Sequence, residues 1–404
     1  MITGQPRELG RNDPVAIAIS ADVGVGLASG EHRWFVAGTD PLVAVADLLE
    51  TAAPRLVWWG RETADHRAAA GLEIDRCWDV QTVHRFLFGG WKAQLGELWA
   101  ALKRLPLDTL PRMGQLGLLE APASEGDRSE PLMPNGHLRP EWISGGFGES
   151  PQRLAQWAGL ALEAMELQTQ RLGSLPDPER AVSTARSESA ADLLCAEMSM
   201  TGLPVDEPAL VELIADAAGP RPRSPAHEDE IRVSRDDAVL SCLKPRREVN
   251  LRSPAEVKAM LELQGLDLPD TRAWRLEELR ETEPLIDALL TWRKAERIAT
   301  TYGYQWLDQH VSGGRLRGEW SSSDGAAGRM TASAGLHNLP AAMRSAVAAD
   351  VGHLLVRADL GQIEPRVLAA VSGDAALVEA TQGDDLYLPV AERLGVDREI
   401  AKLA

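Results

Sequence analysis

The chain has 404 residues, 44% of them hydrophobic and 25% charged, with a formal net charge of −18. This length predicts two or three domains. The three cysteines, Cys77, Cys195 and Cys242, lie far apart in the sequence, which indicates neither a disulfide framework nor a zinc site. No apolar run reaches the roughly 18 residues of a membrane span, and residues 1–12 lack the apolar core of a signal peptide. We therefore expect a cytoplasmic protein without a membrane partner.

Short apolar runs at the start of the chain predict a mixed α/β domain. Strands are expected at 15–20, 25–29, 34–36 and 56–59, with a helix at 42–53.

Two later stretches, 120–146 and 219–230, are rich in proline and polar residues. They predict exposed loops or linkers. Between them, residues 154–172 and 181–214 have the apolar spacing of helices.

The sequence after the second stretch continues as helix. Ser253, Pro254 and Glu256 form a helix start signal, with a capping serine, a first-turn proline and an acidic residue three after the cap. A further helix is expected from Pro284 to about Gln309. Its inward face consists of Leu285, Leu289, Trp292 and Ile298.

The net negative charge argues against a nucleic-acid partner, because neutralising phosphates requires clustered lysine and arginine. Between residues 290 and 345, however, basic residues outnumber acidic ones. The basic residues are Arg293, Lys294, Arg297, Arg315, Arg317, Arg329 and Arg344, and the acidic ones are Glu296, Asp308, Glu319 and Asp324. On charge alone, an ordinary solvated face remains the preferred interpretation.

The segment 354–366 carries the most informative pattern. Residues 354–360 predict a strand, and the apolar residues from Ile363 onward recur at helical spacing, with Pro365 tolerable only in a first helical turn. Asp359 therefore lies at a strand-to-helix junction. Such an aspartate either caps the helix or presents a carboxylate to a metal ion.

Residues 359–366, Asp-Leu-Gly-Gln-Ile-Glu-Pro-Arg, resemble motif A of the family A (DNA polymerase I-like) DNA polymerases, usually written Asp-Tyr-Ser-Gln-Ile-Glu-Leu-Arg. The resemblance implies that Asp359 is a catalytic residue that binds the metal, Mg²⁺. It also implies that Glu364 is the steric gate that rejects the 2′-hydroxyl of a ribonucleotide. Leu360, Gly361 and Pro365 depart from the usual residues, so sugar selection is the part of the resemblance that is least supported.

Flanking segments follow in the order that the family has. Residues 328–333 and 336–340 are similar to its Gly-Arg-Leu-Ser-Ser and Leu-Gln-Asn-Ile-Pro elements, which lie along the template–primer duplex. The resemblance implies that Arg329 and Asn338 contact DNA. Arg293 and Arg297, on the helix before them, are further candidates for duplex phosphates, although a solvated basic helix explains them equally well.

Downstream, residues 383–387 stand where the family has Gly-x-Asp-Ile-His, with Tyr387 in the place of histidine. Residues 398–402 resemble the start of motif B. Arg398 and Lys402 are four residues apart and so share one helix face. The resemblance implies that these two cations and Gln362 hold the incoming nucleotide, since its triphosphate attracts charged donors.

The first part of the chain resembles the 3′–5′ exonuclease domain of the same family only faintly. If Asp22 begins its first motif, Gly24 occupies the place of the second carboxylate. Asp65 is a candidate for a further ligand, Ala161 stands where the last aspartate is expected, and Asp79 fits a structural position better. We therefore expect a degenerate domain without proofreading chemistry.

The resemblance implies an α/β plus α+β fold. A ribonuclease H-like 3′–5′ exonuclease-like domain would span 1–175, with 119–150 as a loop or linker. A truncated polymerase right hand would follow, with a helical thumb at 176–310 and a partial palm and the start of the fingers at 311–404. Residues 197–206 resemble the segment with which family A polymerase domains begin.

The expected function is DNA-directed DNA polymerase activity in replication or repair, with primer–template DNA and deoxynucleoside triphosphates as partners and a monomeric protein. Motif C, with its second metal-binding aspartate, has no counterpart in the sequence, so we expect these residues to be a fragment that is inactive alone. The alternatives are a 3′–5′ exonuclease and a non-catalytic DNA-binding fragment.

Overall fold

The computed structural model describes residues 9–37, 46, 52–69, 74, 76–89, 94–111, 129–324 and 328–402. Two compact units, Met1–Ala348 and Ala349–Ala404, make up the chain. Within the described residues, no helix combines the length and apolar character that crossing a membrane requires.

A five-stranded sheet forms the N-terminal region, residues 9–173, with the strand order β3-β2-β1-β4-β5. Its strands are β1 (Pro14–Ser20), β2 (Gly24–Ser29), β3 (His32–Ala37), β4 (Arg55–Trp58) and β5 (Cys77–Asp79). β1 runs antiparallel to β2 and parallel to β4. The four expected strands are confirmed, whereas the helix expected at 42–53 lies almost entirely outside the described residues.

Helices pack against this sheet, whose central strands are buried on both faces. The helices of this part of the chain are α1 (Arg61–Ala69), α2 (Val80–Phe88), α3 (Leu95–Lys103), α4 (Pro140–Ile143), α5 (Pro151–Gly173) and α6 (Pro178–Thr201), and of these α1, α2, α5 and α6 contact the sheet. α5 confirms the helix expected at 154–172. It approaches β2 so closely that a Cβ at Gly26 would lie 2.1 Å from the backbone carbon of Leu154.

The polar stretches contain more regular structure than the sequence predicts. The described part of the first stretch includes α4. In the second, α8 (Pro225–Leu240) begins directly after its N-cap Ser224, whose Oγ accepts a hydrogen bond from the His227 backbone N–H at 3.2 Å. The prediction of a linker up to residue 230 is therefore wrong, because the Ser-Pro pair starts a helix.

The helix expected at 181–214 is two helices. α6 ends at Thr201, and α7 (Glu207–Ala218) follows the short strand β6 (Leu203–Pro204). The chain turns at Gly202, which has a φ of 72°. A left-handed glycine followed closely by a proline ends a helix, which explains why the continuous helix does not form.

Ser253 caps α9 (Pro254–Leu263) as expected, because its Oγ accepts from the Glu256 backbone N–H at 3.4 Å. The later helices are α10 (Ala273–Glu277), α11 (Pro284–Thr301) and α12 (Tyr304–His310). The single helix expected from 284 to about 309 is thus interrupted near Gly303. Gly303 lies so close to the preceding turn that a Cβ there would lie 2.5 Å from the Ala299 carbonyl oxygen. The inward face is confirmed: Leu285, Leu289, Trp292 and Ile298 are all buried.

Two small sheets complete the first unit. β7 (Val311–Ser312) and β8 (Arg315–Leu316) join β6 in a three-stranded sheet. β9 (Trp320–Asp324) and β10 (Arg329–Ala332) form a separate antiparallel pair, which we call the β9–β10 hairpin.

The second unit is helical in its described residues, with α13 (Ile363–Ser372), α14 (Ala375–Ala380), α15 (Tyr387–Leu394) and α16 (Arg398–Ala401). The strand expected at 354–360 is absent from the described structure, and Leu354 and Val356 are 90% and 91% exposed. A strand is stable only when other strands or a packed face support it. No described strand of this unit pairs with 354–360, so that expectation is wrong for this structure.

Candidate functional site

Asp359 is exposed and lies in an irregular segment before α13. The N-cap of α13 is Gln362, three residues further on, in a left-handed conformation with a φ of 56°. Asp359 is therefore not the cap of this helix. Among the described residues, no hydrogen bond or ion pair engages its carboxylate, which leaves its oxygens accessible to a ligand.

Glu364 lies in the first turn of α13, where Pro365 follows it. A proline is tolerated there because the first N–H groups of a helix have no partner within the helix. The Glu364 side chain is exposed.

Gln362 and Arg398 meet at one carboxylate, that of Asp385. The Gln362 amide donates from Nε2 to Asp385 Oδ1 at 2.8 Å and accepts from the Leu386 N–H at 2.7 Å. Arg398 forms an ion pair with Asp385. The hydrogen bond from Arg398 is the main reason why the pKa of Asp385 is lowered. Two predicted nucleotide-binding residues are thus brought together by a third side chain.

The sequence pattern contains Asp385 within the Gly-x-Asp element, yet it does not indicate that this residue links the other two. That link depends on the return of α15 and α16 toward α13. Lys402, the other predicted cation of this group, is the C-cap of α16 and is exposed.

In the first unit, two predicted DNA contacts converge on Tyr302. Its hydroxyl donates to Asn338 Oδ1 at 3.0 Å, and the Arg297 guanidinium lies over its ring, 6.0 Å from the centroid. Because the amide oxygen of Asn338 is engaged, its NH₂ group is the end left to meet a ligand. The sequence analysis did not single out Tyr302, which lies at the end of α11.

The loop that carries Asn338 is shaped by aromatic side chains. Trp306 donates from Nε1 to the Ala334 carbonyl at 2.9 Å and packs edge-on against Tyr302. Gly335 has a φ of 76°, and a Cβ there would lie 2.4 Å from the Tyr302 ring. The loop therefore sits directly on the aromatic pair, which holds Asn338 at its exposed end.

Arg293 and Arg329 differ in their exposure. Arg293 donates to the Thr271 carbonyl at 2.6 Å and to the Thr271 hydroxyl at 3.2 Å, and burial lowers its pKa. Its charge is thus engaged within the protein, which makes it the weakest of the four predicted DNA contacts. Arg329 is exposed at the start of β10.

The candidate carboxylates of the N-terminal region do not form a cluster. Asp22 lies exposed in the turn between β1 and β2, while Asp65 pairs with Arg61 at 2.6 Å. Ala161 is fully buried. Beside it, Trp157 packs on Trp59 with ring centroids 4.9 Å apart. This part of the domain is filled by aromatic and small apolar side chains.

Asp79 has the structural role that its position suggested. It is 1% exposed, caps α2 by accepting from the Thr82 N–H at 2.8 Å, and accepts from Trp58 Nε1 at 2.8 Å. Burial, followed by the nearby carboxylate of Asp192, raises the pKa of Asp79 to about 7. This group is buried within the fold rather than presented to a ligand.

The described residues contain no group of three His, Cys, Asp or Glu side chains that could hold a metal ion. Asp359 fits a Mg²⁺ ligand by chemistry, because it is an exposed carboxylate with free oxygens.

Comparison with known proteins places these motifs in a family. Residues 230–401 match the model of DNA polymerase family A. The thermostable DNA polymerase I of Thermus aquaticus is 37% identical over 139 residues, which is 32% of this chain and 17% of that protein. DNA polymerase I of Caldicellulosiruptor bescii is 32% identical over 168 residues, or 37% of this chain and 20% of that protein.

The fold is similar to the POL domain of a polymerase from M. smegmatis, solved in complex with DNA primer-template and dNTP. The TM-score is 0.58 at 22% sequence identity, covering 97% of this chain and 65% of that one. The matched segments amount to a fifth or less of the length of these two curated relatives. The match over residues 230–401 and the identities to these two relatives support a family A DNA polymerase, as the sequence motifs predict, and the likeness to the POL domain shows a similar fold.

Proposed function

We propose that this chain takes part in template-directed DNA synthesis, in which deoxynucleotides are added to a primer 3′ end during replication or repair. The observation that carries the proposal is the state of Asp359, which is exposed and does not cap the adjacent helix. An exposed aspartate without a structural partner, three residues before Gln362 in the chain, is suited to binding a metal ion rather than to stabilising the fold.

In this proposal Asp359 would hold Mg²⁺, which would supply the positive charge needed to activate the primer hydroxyl and to stabilise the leaving pyrophosphate. Two metal ions need more than one carboxylate, and the sequence supplies one at a recognised motif position. We therefore expect the polypeptide of residues 1–404 to bind substrates without extending a primer. Glu364 is proposed as the steric gate.

The incoming deoxynucleoside triphosphate is assigned to Gln362, Arg398 and Lys402. Arg398 is paired with Asp385, so its guanidinium is oriented before the nucleotide arrives. A triphosphate carries more charge than a carboxylate and accepts several hydrogen bonds from arginine. We propose that its phosphates compete with Asp385 for this cation.

Duplex DNA is assigned to the surface formed by Arg297, Asn338 and Arg329 in the first unit. Arg297 supplies charge for a phosphate, and the Asn338 NH₂ group supplies a neutral donor. Arg293 is retained only as a peripheral contact, because Thr271 already binds its guanidinium.

A non-catalytic DNA-binding role is the second candidate, favoured by the Arg297, Tyr302 and Asn338 arrangement, which needs no metal. For the N-terminal region, we propose a degenerate exonuclease-like domain, supported by buried Ala161 in the place of a ligand. A monomer in the cytoplasm completes the proposal, and light scattering and cell fractionation would test these two points.

Primer–template binding tests the DNA assignment. In fluorescence anisotropy with the 404-residue polypeptide, Asn338→Ala should weaken binding about fivefold, the effect of losing roughly one hydrogen bond. Arg297→Ala should lower the slope of log K against log salt by about 1, because one phosphate contact is lost. Tyr302→Phe should resemble Asn338→Ala, since the phenol orients that amide.

Tyr304→Phe is the matched control. It removes a hydroxyl that donates to the Gly219 carbonyl at 3.0 Å and does not contact Asn338. Unchanged affinity and salt slope in both Asn338→Ala and Arg297→Ala would remove this surface from the DNA path. Primer extension by the polypeptide alone would show that the metal ligands come from side chains other than those assigned.

A further inference from the structure

We propose that the N-terminal region, together with α6, anchors the β9–β10 hairpin, and that Arg61 is a positioning residue for the DNA contact Arg329. The inference rests on the proposed function for its DNA part. It gives the N-terminal region a structural role, although the candidate carboxylates of that region do not form a cluster.

Arg61 reaches from α1 across to β9. Its Nη1 donates to the Trp320 carbonyl at 2.9 Å, and its Nη2 donates to Ser199 Oγ at 3.1 Å. Its Nε donates to Asp65 at 2.6 Å, which fixes the side chain against its own helix. All three nitrogens of the guanidinium are thus engaged, and one of them binds the hairpin backbone.

α6 completes the anchor from a second direction. Ser199 Oγ accepts from the Trp320 N–H at 2.9 Å, so both backbone polar groups of Trp320 are bound by side chains outside the hairpin. Two residues along the strand, Ser322 donates to Asp192 Oδ1 at 2.8 Å. Trp320 is bound through its backbone and Ser322 through its side chain, so the anchor holds β9 at two points that are two residues apart.

The hydrogen-bonded pair Asp192 and Ser322 is largely shielded from water. Asp192 is 5% exposed and Ser322 is 6% exposed. Arg61 Nη1 also lies 3.9 Å from Asp192 Oδ1, which offsets the charge of that carboxylate. Buried polar groups of this kind are costly to leave unpaired, so the arrangement specifies one position for β9.

The hairpin needs such support because it is a two-stranded sheet. An isolated two-stranded hairpin is at best marginally stable in water. β10 pairs with β9, and Arg329 is the first residue of β10. Fixing β9 therefore fixes the strand from which Arg329 projects.

The test uses the 404-residue polypeptide and two measurements. In Arg61→Gln and in Ser322→Ala, amide hydrogen exchange should accelerate at least about tenfold in residues 320–324 and 329–332, and stay unchanged in β1 and β2. Primer–template affinity should fall about fivefold, as expected when a phosphate contact is poorly positioned. In an Arg329→Ala background, Arg61→Gln should cause no further loss of affinity.

Arg153→Gln is the matched control. Arg153 pairs with Glu149 and donates to the Gly146 carbonyl within the N-terminal region, so its loss should change neither measurement. Unchanged exchange in the hairpin of both test variants would overturn the anchor. Faster exchange with unchanged DNA affinity would overturn the positioning role alone. If Arg329→Ala itself has no effect on affinity, the DNA assignment of Arg329 fails, while the exchange data still decide the anchor.

Discussion

Asp79 and Asp359 each precede a helix, but they differ in burial and in hydrogen-bond partners. Asp79, at the end of β5, is 1% exposed and caps α2. Asp359, three residues before the N-cap of α13, is exposed and caps nothing. The local sequence around each is similar: a short apolar run, then an aspartate, then a helix.

The difference arises from the strands before them. β5 pairs in parallel with β4, and the sheet buries the end of the strand together with Asp79. The run at 354–360 has no described strand partner, so it stays exposed. The carboxylate of a buried aspartate forms its hydrogen bonds within the fold, whereas an exposed carboxylate without such partners can still bind a ligand. The predictions below test whether Asp79 contributes to stability and Asp359 to catalysis.

The largest expected effect concerns Asp359→Ala. In a polypeptide that joins these residues to the second metal-binding motif of a relative, this change should lower primer extension about a thousandfold or more. Metal-assisted stabilisation is worth several kcal/mol, and about 1.4 kcal/mol corresponds to a factor of ten in rate. The melting temperature and primer–template affinity should remain near the parent values, because the side chain holds no structural contact.

Asp374→Ala is a useful control for that experiment. Asp374 caps α14 by accepting from the Leu377 N–H at 2.9 Å, so its loss should affect stability before chemistry. Near-normal extension by Asp359→Ala would return that residue to a passive role and remove the main support for the proposed reaction.

The second effect is on stability. Asp79→Ala should lower the free energy of unfolding by about 2–4 kcal/mol near pH 5, since it removes a helix cap and leaves the buried Trp58 N–H without an acceptor. Denaturant unfolding measures this value. A loss under about 0.5 kcal/mol, the range of ordinary surface changes, would contradict the structural role.

The pH dependence of the free energy of unfolding provides a second test of the buried state of Asp79. Its pKa is raised to about 7 by burial, so the folded state holds the proton more tightly than the unfolded state does. The contribution of this group to stability is therefore greatest below about pH 4, and is lost as the pH rises toward about 7. Asp79→Asn cannot titrate. The difference in unfolding free energy between wild type and Asp79→Asn should shrink or reverse from pH 5 to pH 8, and a constant difference would count against the raised pKa.

The smallest effect is expected for Glu364→Ala in the same extended polypeptide. If Glu364 fills the space that a 2′-hydroxyl needs, shortening it should raise the use of ribonucleotides relative to deoxynucleotides by about tenfold, the lower end of what one steric contact discriminates. Single-nucleotide incorporation measures this ratio. Unchanged discrimination would leave Glu364 without a steric role and would not affect the assignment of Asp359.

Local signals in the sequence determined much of the secondary structure. Short apolar runs predicted β1 to β4, and Ser253-Pro254 predicted the start of α9. These features depend on residues that are neighbours in the chain. The same local reasoning missed α8, although Ser224-Pro225 is the same kind of signal, because composition alone made the stretch look like a linker. It also missed the interruption of α11 and α12 at Gly303.

The motif residues, too, were determined by the sequence: Asp359, Gln362, Glu364, Arg398, Lys402, Arg329 and Asn338 were all identified from short patterns. Only the tertiary structure decided how available they are. Thr271 engages Arg293, Asp385 joins Gln362 to Arg398, and Tyr302 orients Asn338. The Trp320 backbone is likewise held by Arg61, 259 residues away in the chain. Each of these links joins distant segments, and burial and hydrogen bonding between such segments depend on packing that no local pattern of residues records.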